Sequence, residues 1–241
     1  MNKIFLILMV LVPCMANAQS VQVYKESIAQ YRDGYKMSLL KGEDSLSATD
    51  TGYLRFYDAD PKYRVRASFE QVSGAAPFRL ETKHGRIGPQ VREYGIVYFN
   101  MNGATITLHV YRIVTRPKFR ILARFIKNTD EEIVLFIPFT DRTNNRETFL
   151  GGRYLDVSAA GLMSNNVVID FNKACNWHTA YEMGYPYIVL PSVPDRMSPM
   201  EVNQTRLHPD QPLAQIATIQ ANDIPIEIKA GEKIFGHNPG Y

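Results

Sequence analysis

Apolar and polar residues alternate along two stretches of the chain, residues 63–70 and residues 104–111. A period of two places successive side chains on opposite faces of a strand, so each stretch predicts a half-buried β-strand. Residues 95–99 and the pair Asn102-Gly103 precede the second stretch. Asn-Gly between two such runs predicts a tight hairpin, because both residues tolerate the positive φ that a type I′ turn requires.

Further short apolar runs lie at residues 121–126, 133–139, 167–171 and 224–230. Many short strands accompanied by a single helix are typical of antiparallel β architectures. The pattern therefore predicts a mainly β fold, either an antiparallel sandwich or a small barrel. We expect one domain over residues 19–241.

The helix is predicted at the N-terminus, over residues 21–40. Tyr24, Ile28, Tyr31 and Tyr35 recur at spacings of four, three and four, which is the period of one helix face. Aromatic stripes at this spacing usually pack, so we interpret the helix as a cover over one end of the core rather than as a tyrosine-lined site.

The strand rhythm stops in a proline-rich segment, residues 191–221, which contains five prolines among polar residues. Loops of this length are uncommon inside a compact domain. We interpret the segment as an inserted surface loop.

The first 18 residues have the pattern of a secretory signal peptide. Lys3 precedes an apolar run over residues 4–12, and Ala16 and Ala18 occupy the two positions that a signal peptidase reads. We expect cleavage after Ala18 and a periplasmic or secreted protein. The alternative is a lipoprotein anchored at Cys14, which Pro13 disfavours because it stands where a lipobox has a small residue.

Composition and charge narrow the classes of partner. Of 241 residues, 45% are apolar and 21% charged, as in ordinary globular proteins. Loss of residues 1–18 removes one lysine and no acid, which leaves 26 basic and 24 acidic residues. This balance predicts no nucleic-acid partner. No apolar run of the mature chain reaches the length of about 20 residues that a transmembrane helix needs.

The mature chain keeps one cysteine, Cys175, so no intrachain disulfide can form. Cys175 and His178 could share a metal ion or act as nucleophile and base. A zinc site needs three or four protein ligands, and the other histidines are scattered along the chain. We therefore expect no metal and no cofactor, and interpret Cys175 as a buried thiol beside Trp177.

Polar and glycine residues concentrate at residues 138–156, between apolar runs. Asp141 and Arg153 allow two interpretations. They pair with each other or with the backbone inside a shaped turn, or one of them faces a ligand, since arginine suits carboxylate and phosphate. The Gly151-Gly152 pair lacks the lysine and hydroxyl spacing of a phosphate loop.

Asp170 and Asn172 flank Phe171 in an expected strand, which would place both polar side chains on one face. With Arg153 and Glu232 they could form a site. Equally, they could form a polar network that only determines strand register.

The blocks 139–143, 151–155, 170–174 and 226–233, together with 60–65 and 94–97, follow one another in the order of a known family. The chain resembles the family catalogued as domain of unknown function 1684 (DUF1684). The resemblance implies a shared fold but no activity, because none is established for the family. It also implies seven positions to test, namely Asp141, Thr143, Arg153, Tyr154, Asp170, Asn172 and Glu232.

Three functions remain open at this point. The first is an extracytoplasmic β-domain that binds a small polar or anionic ligand. Its donors would be Arg153 and Asn172, its acceptors Asp141 and Asp170, and its stacking surface Tyr154. The second is a structural or protein-interaction module of the cell envelope. The third is a hydrolase that uses Asp141, Asp170 or Glu232 as a base or as one of a carboxylate pair.

Cleavage of the leader can be tested by expressing the full chain in a bacterium and measuring its intact mass. We expect a product that begins at Gln19, because the small residues Ala16 and Ala18 fit the peptidase. Ala18→Arg should block processing. A mature protein that keeps Met1, or that begins with a lipidated Cys14, would contradict the prediction.

Overall fold

Eight strands form one antiparallel sheet in the part of the chain that the computed structural model describes, which is residues 3–41, 46–81, 87–114, 135–177, 180–181 and 222–236. The sheet curls into a half-barrel. The helices and strands are α1 (Lys3–Leu39), β1 (Arg64–Gln71), β2 (Phe78–Glu81), β3 (Ile87–Met101), β4 (Ala104–Ile113), β5 (Leu135–Phe139), β6 (Arg153–Val157), α2 (Ala159–Leu162), β7 (Val167–Asp170) and β8 (Cys175–Asn176).

The strand order across the sheet is β7-β1-β3-β4-β5-β6-β8, and β2 pairs with β3 beside this path. β1 pairs with both of its neighbours, through its first half with β7 and through its second half with β3.

The mainly β, antiparallel class predicted from the pattern is confirmed, and β1, β4, β5 and β7 lie where short strands were expected. The hairpin is confirmed as well. Asn102 and Gly103 have φ values of 52° and 78°, and Met101 pairs with Ala104 across the turn. Both φ values are positive, as a type I′ turn requires. The predicted strand at 121–126 and the proline-rich loop at 191–221 lie outside the described residues.

The N-terminal helix is also confirmed, although α1 begins at Lys3, well before the predicted start. Its buried face carries Ile28, Tyr35 and Leu39. Tyr35 and Leu39 pack in one core cluster with Phe136 and Trp177. Among the described residues, no helix combines the length and the apolar character needed to cross a membrane.

β5 lies between two core clusters and is buried along its whole length. Phe136 belongs to the cluster under α1, whereas Ile137 and Phe139 belong to the cluster on the opposite face of the sheet. Because both faces are covered, β5 has the continuous apolar sequence of a fully buried strand rather than an alternating one.

Residues 224–230, which the pattern predicted to be a strand, pair with no strand among the described residues. Ile224 N donates to the Thr140 carbonyl at 2.8 Å, and Arg142 N donates to the Ile226 carbonyl at 3.2 Å. Two charged side chains bond to the backbone groups that follow. The carbonyls of Ile228 and Ala230 accept from the Arg153 guanidinium, and the Ile228 N–H lies 3.3 Å from the Asp141 carboxylate. The apolar side chains are still buried, which explains why the segment has a strand-like sequence.

Asn222 bridges β4 and β5 where the two strands separate. Its amide oxygen accepts from His109 N at 2.7 Å, and its amide nitrogen donates to the carbonyls of His109 (2.9 Å) and Pro138 (2.7 Å). Only 1% of Asn222 is exposed. The side chain therefore replaces the backbone pairing that an adjacent strand would supply.

Replacement of Asn222 by alanine should leave three buried backbone groups without a partner. We expect Asn222→Ala to lower the free energy of unfolding by about 2 kcal/mol or more, since each unpaired buried polar group costs about 1–3 kcal/mol. Urea denaturation followed by circular dichroism measures this change. The exposed Asn166 provides the control, because Asn166→Ala should leave stability unchanged. If Asn222→Ala and Asn166→Ala had the same free energy of unfolding, Asn222 would not act as the bridge between β4 and β5.

Candidate functional site

Arg153 and Asp141 form a fully buried ion pair. Arg153 Nη2 lies 2.6 Å from Asp141 Oδ2, and both side chains are 0% exposed. Asp141 Oδ1 also accepts from the backbone N–H (2.7 Å) and the hydroxyl (2.6 Å) of Thr143. The carboxylate is therefore satisfied on both oxygens by neighbours in the fold.

The rest of the Arg153 guanidinium holds the C-terminal segment in place. Nη1 donates to the carbonyls of Ala230 and Glu232, and Nη2 donates to the Ile228 carbonyl at 2.9 Å. The Phe139 ring lies 5.2 Å from the guanidinium carbon. Of the two interpretations of this polar patch, the structure agrees with the pair inside a shaped turn.

The turn after β5 is closed by its own side chains. The hydroxyls of Thr143 and Thr148 are 2.9 Å apart, and the Asn144 amide donates to the Phe149 carbonyl at 2.8 Å. Tyr154, expected as a stacking surface, is buried, and its ring lies 4.8 Å from the Trp177 ring. Thr143 and Tyr154 thus contact protein rather than solvent.

Asn172 is the centre of a second polar cluster. Its amide nitrogen donates to Tyr24 Oη (2.7 Å), to the Asp60 carbonyl (2.9 Å) and to Asp170 Oδ1 (3.1 Å). Its amide oxygen accepts from Asp60 N at 2.9 Å. Only 1% of Asn172 is exposed. This one side chain therefore joins α1, the segment before β1 and the end of β7.

The expected strand geometry at Asn172 is wrong. β7 ends at Asp170, whose carboxylate accepts from Asn172 N and caps the 3-10 turn Phe171–Lys173. Asp170 and Asn172 nevertheless meet, because the capped turn brings the two side chains together. Burial first, and then the Asp170 carboxylate, raise the pKa of Tyr24 above its ordinary value.

Glu232 belongs to a third cluster, below α1. Its carboxylate accepts from Asn176 N (2.8 Å), Tyr35 Oη (3.0 Å) and Tyr181 Oη (2.6 Å). Burial and then the Glu232 charge hold the pKa of both tyrosines well above the ordinary value, so their hydroxyls stay protonated as donors. Gly231, the residue before Glu232, has a positive φ of 73°. A side chain at this position would place its Cβ 2.7 Å from the Phe171 carbonyl oxygen, so the position requires glycine.

The sequence-predicted residues therefore separate into three hydrogen-bonded clusters. Asp141, Asp170 and Glu232 each lie in a different one, and each carboxylate accepts hydrogen bonds from groups of its own cluster. Within the described ranges, no group of three histidine, cysteine or acidic residues could hold a metal ion. Cys175 is buried as expected, with Sγ 3.4 Å from the Lys173 carbonyl, and His178 lies outside the described residues.

An open groove of about 360 Å³ lies between α1 and residues 56–59, and we name it the helix groove. Its lining contains three cations, two carboxylates and an aromatic ring. The lining residues are Lys25, Ala29, Arg32, Asp33, Lys36, Phe56, Asp58 and Ala59. No sequence signal indicated this groove, because residues 56–59 carry no motif.

Arg32 lies over the aromatic ring of the helix groove. Its guanidinium carbon is 4.8 Å from the centre of the Phe56 ring, and Lys36 Nζ is 5.9 Å from the same centre. Arg32 Nη2 donates to the Asn172 carbonyl at 3.3 Å. Its Nε is buried and has no hydrogen-bond partner among the described residues. Burial lowers the pKa of Arg32 from a very high ordinary value, so the group stays cationic near neutrality.

Comparison with known proteins supports the fold. Residues 52–186 match the model of a family described as a protein of unknown function, DUF1684. The solution NMR structure of an uncharacterised protein from Haloarcula marismortui is similar at a TM-score of 0.56 and 20% identity. The match covers 89% of this chain and 96% of that one, and at this identity it concerns the fold alone. No curated protein matches the chain.

Removal of the Arg153 side chain should strongly destabilise the protein. We expect Arg153→Met to cost about 4 kcal/mol, because breaking a buried pair leaves the Asp141 charge uncompensated. Chemical denaturation measures the loss. The exposed pair Arg146 and Glu227 gives a matched control, since Arg146→Met should have little effect. If Arg153→Met and Arg146→Met lowered the free energy of unfolding by similarly small amounts, the fold would not depend on the buried Arg153 ion pair.

Proposed function

The chain belongs to the DUF1684 family, and from its own geometry we propose that it binds a small polar ligand with an anionic group in the helix groove. The observation that carries the proposal is Arg32. One side of its guanidinium is held by the Asn172 carbonyl and the Phe56 ring, and the side chain lines the open helix groove. An oriented guanidinium loses little conformational freedom when it binds a carboxylate or phosphate.

The surroundings of Arg32 favour an anion. Lys36 lies over the same ring, so two cations converge at one end of the helix groove. Arg32 is partly buried, and partial burial strengthens its interaction with an opposite charge relative to bulk water. A planar oxyanion placed there would accept charge-assisted hydrogen bonds.

The ligand class expected from the sequence is retained, but the donors change. Arg153 is 0% exposed, and both terminal nitrogens of its guanidinium bond to Asp141 or to backbone carbonyls, while Tyr154 is buried against Trp177. A ligand could reach either residue only if the core opened. Arg32 and Lys36 provide the same chemistry at a surface that is already open.

The proposal includes a location outside the cytoplasm. It is supported by the leader-like residues 1–18, and it is compatible with the helix groove. Lys25, Arg32 and Lys36 all lie after Ala18, as do the buried helix residues Ile28 and Tyr35. Cleavage would therefore keep the helical wall of the groove and its packing on the sheet.

Binding can be tested by calorimetry and by thermal unfolding with acetate, gluconate and inorganic phosphate. We expect at least one anion to raise the unfolding midpoint by mass action. Arg32→Gln should weaken its binding about tenfold, since a charge-assisted hydrogen bond contributes about 1.5–3 kcal/mol.

The exposed Arg66 on β1 provides the control, because Arg66→Gln removes the same charge away from the helix groove. Unchanged affinity in Arg32→Gln, or equal losses in the two variants, would contradict the proposal. So would the absence of binding by all three anions.

A further inference from the structure

We infer that Asp58 makes the helix groove selective for a hydroxylated acid with a single negative charge, such as a sugar acid, over acids that carry two charges. This inference rests on the proposed function. It names the substrate class of the same site and assigns its specificity to one residue on the wall opposite α1.

The charges that line the helix groove nearly balance. Lys25, Arg32 and Lys36 oppose Asp33 and Asp58, which leaves one unit of positive charge at neutral pH. A ligand with one negative charge compensates this excess. A second negative charge on the ligand would meet the groove carboxylates, and like charges at close range oppose binding.

Asp58 provides a hydrogen-bond acceptor that a ligand in the groove can reach. It is exposed, it lines the groove, and it makes no hydrogen bond or ion pair with the residues that the structure describes. An ionised carboxylate can only accept hydrogen bonds. Its natural ligand partners are therefore hydroxyl groups, and a second carboxylate on the ligand would be repelled.

Arg32 and Asp58 line the same groove, Arg32 from α1 and Asp58 from the segment before β1. The two side chains place a donor and an acceptor at opposite walls of one groove. This arrangement is complementary to a molecule with a carboxylate at one end and hydroxyls along its chain.

The backbone on either side of Asp58 is held in place. Tyr57 N donates to the Gly231 carbonyl at 3.0 Å, and both backbone groups of Asp60 bond to the Asn172 amide. The backbone that carries Asp58 is therefore positioned by the fold before a ligand arrives.

Three acids with six carbons separate the contributions of charge and hydroxyl groups. Gluconate has one carboxylate and several hydroxyl groups. Glucarate has two carboxylates and several hydroxyl groups, whereas hexanoate has one carboxylate and no hydroxyl group. Calorimetry at neutral pH and low salt, where charges are least screened, measures their affinities. For the unmodified protein we expect gluconate to bind about tenfold more tightly than either of the others.

Asp58→Asn should remove the preference of gluconate over glucarate, because it removes the repelling charge and keeps the side-chain shape. Asp58→Ser provides a second variant with the same expected outcome. Glu26→Gln is the matched control. Glu26 lies on α1 outside the groove lining and bonds Gln22, so its loss of charge should leave the affinity ratio unchanged.

The outcomes distinguish this inference from the proposed function. If the acids bind and depend on Arg32, but the gluconate-to-glucarate ratio is the same in Asp58→Asn and the unmodified protein, the inference is overturned and the proposed function stands. Tighter binding of glucarate by the unmodified protein would also overturn it. If no acid binds, or if Arg32→Gln binds the acids as tightly as the unmodified protein does, the proposed function itself fails.

Discussion

The buried charge of Arg153 is the constraint on which much of this fold depends. A guanidinium without solvent must find acceptors inside the protein, because burial of an uncompensated charge is far more costly than one folded domain can tolerate. Asp141 supplies the opposite charge, and the carbonyls of Ile228, Ala230 and Glu232 supply the remaining acceptors. The Arg153 side chain consequently holds the C-terminal segment together with backbone hydrogen bonds to Thr140 and Arg142.

This anchoring extends to the surface. The segment held by Arg153 continues into Gly231, whose carbonyl accepts from Tyr57 N, and into Glu232, which forms an isolated backbone bridge with Phe56. Residues 56–59 form one wall of the helix groove. The core ion pair thus determines where that wall lies, although Arg153 itself is remote from solvent. The family-like polar residues support the groove through the backbone.

Helix α1 is attached to the sheet by hydrogen bonds as well as by apolar packing. Tyr24 bonds Asp170, Tyr35 bonds Glu232, and Arg32 bonds the Asn172 carbonyl. Hydroxyl and guanidinium contacts of this kind are directional, so they define the rotation of the helix about its axis as well as its position. That rotation turns the basic residues of α1 toward Phe56 and creates the second wall of the groove.

The sequence alone determined the periodic elements of this protein. Alternation at β1 and β4, the helical period of Tyr24, Ile28, Tyr31 and Tyr35, and the Asn102-Gly103 turn are local signals, because each depends on residues that are neighbours in the chain. The tertiary structure decided everything that joins distant residues. It separated Asp141, Asp170 and Glu232 into three clusters, kept residues 224–230 out of the sheet, and brought Arg32 over Phe56 and opposite Asp58. A polar residue in a sequence is compatible with either a buried network or an open site, and only the positions of its acceptors and of solvent distinguish the two.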